Sequence, residues 1–192
     1  ACSAVCPVRH GQRGLPAAGR GICGAGDGAN GIRLLKTHLT KRKVGGRMNI
    51  VEHFPHLGIT NLKVLTKKKQ QTDKKIQYVS AYVRLWAYVM LERPNTDTIN
   101  FIDCMSNAGV YRDGDCCTAI EVLKIFSELA DDYPHKSFRV FCNDNDPAKI
   151  EILKKIAAAD IVPPKKNVYL FVCQKDVNDY LADLAGNPQV VG

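Results

Sequence analysis

The amino-acid sequence predicts a three-layer α/β domain with a parallel sheet over residues 72–184. Three short apolar runs typical of strands alternate with segments that repeat apolar residues at helical spacing. This alternation favours a parallel sheet whose strands are joined by right-handed helical crossovers, as in Rossmann-like folds. The predicted strands are Thr98 to Asp103, Phe138 to Cys142 and Asn167 to Cys173.

Helical segments precede and follow each strand. The first is expected to begin at Thr72 or Asp73, because either side chain can accept hydrogen bonds from the free amides of a first turn. Pro94 ends it, since proline cannot continue a helix. The later helices are predicted at Thr118 to Leu129, Pro147 to Ala158 and Val177 to Leu184.

The first helix carries apolar residues around much of its circumference. Val79, Val83, Trp86 and Met90 recur at helical spacing and predict its buried face. Four further residues are expected to widen that face: Tyr78, Tyr82, Leu85 and Val89.

The charge of the chain is concentrated at its beginning. The formal net charge is +8, and residues 1–47 hold nine of the 27 Lys and Arg residues against one acid, Asp27. This segment also holds most of the glycines and has neither a helical nor a strand period. We therefore interpret residues 1–47 as a non-native or disordered tail before a natural start at Met48. Nucleic-acid binding is a weaker hypothesis that depends on this tail.

Other function classes find little support in the sequence. No run of apolar residues is long enough for a signal peptide or a membrane span, so we expect no membrane partner. The cysteines are expected to be free thiols, which favours a reducing, cytoplasmic location. The eight cysteines include no CxxC pair. Pro55 lies between His53 and His56 and opposes a helical metal site there. We therefore expect no metal.

An acid follows each predicted strand. Asp103, Asp144 and Asp176 are expected at the same edge of the sheet, where open parallel sheets bind ligands. Asp144 is suited to the ribose hydroxyls of a nucleoside, and Asp176 to the exocyclic amine of an adenine ring. The alternative is that these acids only cap helices and turns.

The loop after the first strand contains small residues. Ser106 and Gly109 allow the backbone to approach a ligand closely, and Asn107 and Gly109 tolerate positive φ where a turn requires it. Tyr111 can line the same crevice, although a packed aromatic residue is equally compatible with its position. The loop has no GxGxxG motif.

Several linked motifs resemble the three-Cys-motif partner family. The spacing Thr72-x-x-Lys75-x-x-Tyr78-Val79-x-x-Tyr82-x-x-x-Trp86 resembles its opening helix, and Asp144-x-Asp146-Pro147 its acid-x-Asp-Pro motif. The segment from Asp103 to Gly114 is similar to its Asp-Gly-Phe-Ala-Gly-x-Gly-x-Tyr-x-x-Gly loop, with matches at Asp103, Gly109, Tyr111 and Gly114. Cys104 and Asn107 stand where this family usually has glycine.

The resemblance implies a methyltransferase-type fold, S-adenosylmethionine as cofactor and a separate partner protein with a three-cysteine motif. Residues 48–71 would be an irregular lead-in, and residues 72–192 the first half of such a domain. Val190 and Val191 would begin a fourth strand, so we expect a truncated domain that does not transfer methyl groups alone. A non-catalytic adaptor that docks the three-cysteine partner is the alternative function.

Overall fold

The computed structural model describes residues 3–4, 58–59, 62–158, 162 and 165–187. The strands are β1 (Ser3–Ala4), β2 (Thr98–Asp103), β3 (Ser137–Asn143) and β4 (Val168–Cys173). The α-helices are α1 (Gln70–Leu91), α2 (Thr118–Asp132), α3 (Pro147–Ala158) and α4 (Val177–Ala185), and a 3-10 turn covers Leu62–Val64. Among the described helices, none is long and apolar enough to cross a membrane.

The three longer strands form the predicted parallel sheet. Its order is β1-β4-β3-β2, so β3 lies in the middle of the three parallel strands. Asp103 lies opposite Cys142, and Asn143 opposite Cys173, so the three strands end at one edge of the sheet. The prediction of an α/β fold with a parallel sheet is confirmed.

The short strand β1 was not predicted. Its two residues pair antiparallel with Val172 and Phe171 of β4. The surrounding sequence has no strand period, but any extended dipeptide can hydrogen-bond to an edge strand through its backbone, whatever its side chains.

Helices cover both faces of the sheet. Helices α1, α2 and α3 pack on one face, where Val140, Cys142 and Val172 point into the larger apolar core. Because side chains alternate along a strand, Phe141 and Cys173 point to the other face, where they contact α4. Three layers result, and among the described helices α4 is the one that packs on the second face.

The predicted burial of α1 was wrong on one side. Its buried residues are Ile76, Val83, Ala87 and Leu91, and the last three belong to the core that the helix forms with α2 and β2. The four residues expected to widen this face are largely exposed instead: Tyr78, Tyr82, Leu85 and Val89. Apolar residues surround this helix, but α2 and β2 cover only part of it, so periodicity alone did not identify the buried side.

The predicted start of α1 was also wrong. The helix begins at Gln70, and neither Thr72 nor Asp73 caps it. The carboxylate of Asp73 instead accepts hydrogen bonds from Lys68 Nζ at 2.6 Å and from Gln77 Nε2 at 2.9 Å. The carboxylate of Asp73 therefore binds neighbouring side chains at the first turn of α1 and does not cap the helix.

The segment before α1 packs against the domain. Ile59 and Leu65 belong to the apolar core. Lys68 Nζ lies 2.6 Å from carboxylate oxygens of both Asp73 and Asp115, and its side chain is largely buried. This lysine therefore connects α1 to the loop between β2 and α2.

Candidate ligand cleft

A cleft of about 440 Å³ lies over the carboxyl ends of β2, β3 and β4. Four of the seven predicted site residues line it: Asn107, Tyr111, Asp144 and Asp176. The three loops that follow the parallel strands therefore contribute to one concave surface, which is where open α/β sheets bind ligands.

Asp103, Ser106 and Gly109 are not among the lining residues. Ser106 is buried, and both its backbone amide (2.8 Å) and its Oγ (3.1 Å) donate to the carbonyl oxygen of Asn143. Ser106 thereby fastens the first loop to the end of β3. Ser106 therefore stabilises the loop beneath the cleft and does not line the cleft itself.

Gly109 occupies a position that only glycine fits well. Its φ is +81°, and Asn107 has φ +57°, as their residue types led us to expect. A Cβ at position 109 would lie 2.7 Å from Leu153 Cδ1 of α3. The carbonyl oxygen of Gly109 accepts from the amide of Cys117 at 2.8 Å, just before α2. A side chain here would therefore force Leu153 or the loop between α2 and α3 to shift.

Asp144 is almost fully buried at the base of the cleft, with 6% of its surface exposed. Its Oδ2 accepts from the backbone amide of Asn107, and its Oδ1 from that of Asp146, both at 3.1 Å. Lys149 Nζ lies 3.6 Å from Oδ1. The acid predicted to bind ribose therefore connects the loops that follow β2 and β3.

Two further acids begin helices at the cleft. Asp146 Oδ1 accepts from the amide of Ala148 at 2.9 Å at the start of α3. Asp176 is the N-cap of α4, where its Oδ1 accepts from the amide of Asn178 at 2.9 Å and from Asn178 Nδ2 at 3.1 Å. Asp176 caps α4 and, because it is exposed and lines the cleft, its carboxylate is also accessible to a ligand.

Asn143 is a central residue of the site that the sequence did not indicate. It is 1% exposed, and its Nδ2 donates to the carbonyl oxygens of Cys104 (3.2 Å) and Lys175 (3.1 Å). Its Oδ1 accepts from the amide of Lys175 at 3.0 Å. One primary amide thus joins the ends of all three parallel strands. Its position as the last residue of a central strand, directly before an acid, was the available signal.

Burial raises the pKa of the Asp103 carboxyl above its usual value. The backbone amide of Met105, which donates to Asp103 Oδ1 at 3.2 Å, opposes this effect, as does the charge of Lys75. The negative charge of Asp144 raises the pKa further. The ionised form of Asp103 is therefore less favourable in the folded protein than in water.

The cleft contains cations that the sequence analysis did not identify. Lys149 and Lys175 both line it, near Asp144 and Asp176 respectively. Lys149 pairs with Asp144, and Lys175 with Asp183 of α4. The lining is therefore of mixed charge rather than uniformly acidic.

The pKa values of two thiols near the cleft are raised. Burial, and then the charge of Asp103, raise the pKa of Cys104, which lines the cleft. Burial raises the pKa of Cys117 to about 12. Nucleophilic cysteines require a lowered pKa, so these two lack that activation. Within the described part of the chain, no group of His, Cys, Asp and Glu side chains could hold a metal ion.

Comparison with family models, curated proteins and solved structures returns no significant match for this chain. Several sequence-based predictions lie outside the described residues. They concern the basic segment within residues 1–47, of which only residues 3 and 4 are described, the natural start at Met48, and the pair His53 and His56. The start of a fourth strand at Val190 and Val191 lies outside them as well.

Proposed function

We propose that this protein binds an adenosine-type ligand, with S-adenosylmethionine as the first candidate, in the cleft at the strand ends. The observation that carries the proposal is that one cleft receives polar side chains from the loops after all three parallel strands. Nucleotides bind at this position in Rossmann-like folds. The motif resemblance to three-Cys-motif partner proteins supports the same ligand class.

The size and the polar groups of the cleft fit such a ligand. Its volume of about 440 Å³ falls within the range of about 300 to 1,000 Å³ that small-molecule sites occupy. The side-chain oxygen of Asn107 is buried and has no hydrogen-bond partner within the described part of the chain. A ligand donor would satisfy it once the side chain turns toward the cleft, and the ring of Tyr111 offers an apolar surface in the same cleft.

Asp144 can accept a ribose without releasing the loop. An ionised carboxylate has about four acceptor sites, and the backbone amides of Asn107 and Asp146 use one on each oxygen. Asp176 would receive the exocyclic amine of the base. S-adenosylmethionine, when bound, supplies an electrophilic methyl group. The side chains of Cys104 and Asn107 would lie against the methionine end, where the resembled family has glycine.

A non-catalytic adaptor is the second candidate, and one observation favours it specifically. Asp144 is almost completely buried and already holds two backbone amides and faces Lys149. A carboxylate in this state serves the fold even without a ligand. In that case the domain would retain a Rossmann-like cleft while its surface docks a three-cysteine partner.

Isothermal titration calorimetry with S-adenosylmethionine, its demethylated product and ADP tests the proposal. We expect the two S-adenosyl ligands to bind, and the variant Asp176→Ser to weaken binding roughly tenfold, which corresponds to about 1.4 kcal/mol. Serine is a good N-cap, so this change removes the carboxylate while it keeps the start of α4.

The control is Glu151→Gln, which removes one negative charge from an exposed position of α3 outside the cleft lining. It should bind as the unchanged protein does. If none of the three ligands binds, or if Asp176→Ser and Glu151→Gln bind equally well, the nucleotide proposal fails and the adaptor hypothesis is the better one.

A further inference from the structure

Helix α1 presents a line of large apolar side chains to solvent. Tyr78, Tyr82, Leu85 and Val89 are 76%, 67%, 68% and 60% exposed, respectively. They are separated by four, three and four residues, which places them on one side of an α-helix. We call these four residues the α1 stripe.

The spacing of the α1 stripe is that of a helix-helix seam. Alternating steps of three and four residues are the a/d pattern of coiled coils, in which two helices pack side by side. A contiguous exposed apolar surface of this kind marks an interaction site. The stripe is also separate from the cleft, because none of its residues belongs to the cleft lining.

The charges at the two ends of the α1 stripe are opposite. Lys75 precedes Tyr78 by three residues, Glu92 follows Val89 by three, and both are exposed. Neither forms an ion pair within 4 Å in the part of the chain that the structure describes, and the charge of Lys75 acts on the more distant carboxyl of Asp103. The Tyr133 hydroxyl donates to Glu92 Oε1 at 2.6 Å and holds this carboxylate at the end of α1.

In an antiparallel pair of α1 helices, apolar side chains lie opposite apolar side chains, and positive charges lie opposite negative charges. With a two-fold axis between residues 82 and 85, Tyr82 lies opposite Leu85 of the second copy, and Tyr78 opposite its Val89. The same axis places Lys75 opposite Glu92, twice per dimer. A parallel pair would instead place Lys75 against Lys75 and Glu92 against Glu92, which is repulsive.

We propose that the α1 stripe binds a second copy of this chain through an antiparallel, two-fold pairing of α1 with α1. Such an interface is isologous, because the same surface is used by both subunits. The apolar side chains provide the affinity, and the Lys75 and Glu92 pairs select the antiparallel direction. The proposal is independent of ligand binding in the cleft.

Sedimentation velocity over a dilution series tests this dimer. We expect a concentration-dependent dimer, and Leu85→Glu should weaken it more than about tenfold, because it buries two charges at the centre of the seam. Leu181→Glu is the control, since Leu181 is a 47% exposed apolar residue on α4, the helix of the opposite face. It should leave dimerisation unchanged.

Charge exchange tests the direction of the pairing. Lys75→Glu and Glu92→Lys should each weaken the dimer roughly three- to tenfold, because each creates two like-charged contacts. The double variant should restore the affinity. Thermal unfolding of each variant confirms that the monomer remains folded. A protein that is monomeric at every concentration, a dimer equally sensitive to Leu181→Glu, or a double variant without recovery would overturn the proposal.

Discussion

The carboxylate of Asp144 and the backbone amide of Asn107 are joined by a 3.1 Å hydrogen bond across the ends of β3 and β2. Asn107 has a left-handed backbone conformation, with φ +57°. The acid therefore holds the first loop in a conformation that non-glycine residues seldom adopt. This contact determines the shape of the cleft floor.

Replacing Asp144 should destabilise the protein and loosen this loop. Asp144→Ala leaves the amides of Asn107 and Asp146 without their acceptor, and each such loss costs about 1 to 3 kcal/mol. Asp144→Asn keeps one acceptor oxygen and should have an intermediate effect. Urea unfolding measures both, with Asp132→Ala at an exposed position of α2 as the control. Equal stability of Asp144→Ala and Asp132→Ala would contradict the tethering role.

Asn143→Ala should be among the most destabilising polar substitutions in the domain. It removes the hydrogen bonds that join the ends of all three parallel strands, and the part-buried backbone groups of Cys104 and Lys175 lose their partner. We expect a loss of about 2 to 4 kcal/mol in the free energy of unfolding. Asn145→Ala, two residues further and exposed, is the matched control and should change stability by less than about 0.5 kcal/mol.

Gly109→Ala should cost more than Gly58→Ala. Both glycines have positive φ, but a Cβ at Gly109 meets Leu153 at 2.7 Å, whereas none of the described atoms lies within 4 Å of a Cβ at Gly58. The conformational cost at either position is about 1 to 2 kcal/mol. Overpacking adds about 1 to 3 kcal/mol at Gly109 alone. Chemical denaturation of the two variants isolates this difference, and equal losses would argue against the close packing of the loop on α3.

Asp103 should make folding less favourable as the pH rises. Burial raises the pKa of this carboxyl in the folded state, so the folded protein retains its proton at pH values where the unfolded chain has lost it. Stability is then greatest below the unfolded pKa and falls as the pH rises through the folded pKa. Above that window the cost of the buried charge stays constant.

Asp103→Asn should remove this decline, because the amide cannot ionise and its Oδ1 can still accept from Met105. Urea unfolding from about pH 4 to about pH 7 compares the two proteins across the carboxyl range. We expect the variant to be at least as stable as the unchanged protein at the upper end. An identical pH dependence in both proteins would mean that Asp103 does not carry this effect.

The order of the main elements could be predicted from local periodicity. The strand predicted from Phe138 to Cys142 extends by one residue at each end, because backbone hydrogen bonding continues through Ser137 and Asn143 although the apolar run does not. The acids after the strands were also evident, since a parallel sheet brings such positions to one edge.

Contacts between distant residues could not be predicted in the same way. The bond between Asp144 and Asn107 spans 37 residues and depends on the register of β2 against β3. The buried side of α1 depends on where α2 and β2 lie, because apolar residues surround that helix. The position of Asn143 at a strand end was visible in the sequence, but its hydrogen bonds to the loops after the other two strands follow only from the fold.

The backbone amides of β3 should exchange with solvent more slowly than those of β2, because β3 lies in the middle of the three parallel strands. Both of its edges are paired, whereas β2 pairs with β3 on one side and has no other partner among the described strands. Alternate amides of β2 therefore point away from the sheet. Deuterium should enter these amides through small local openings, while those of Val140 and Phe141 should exchange only when the domain opens cooperatively.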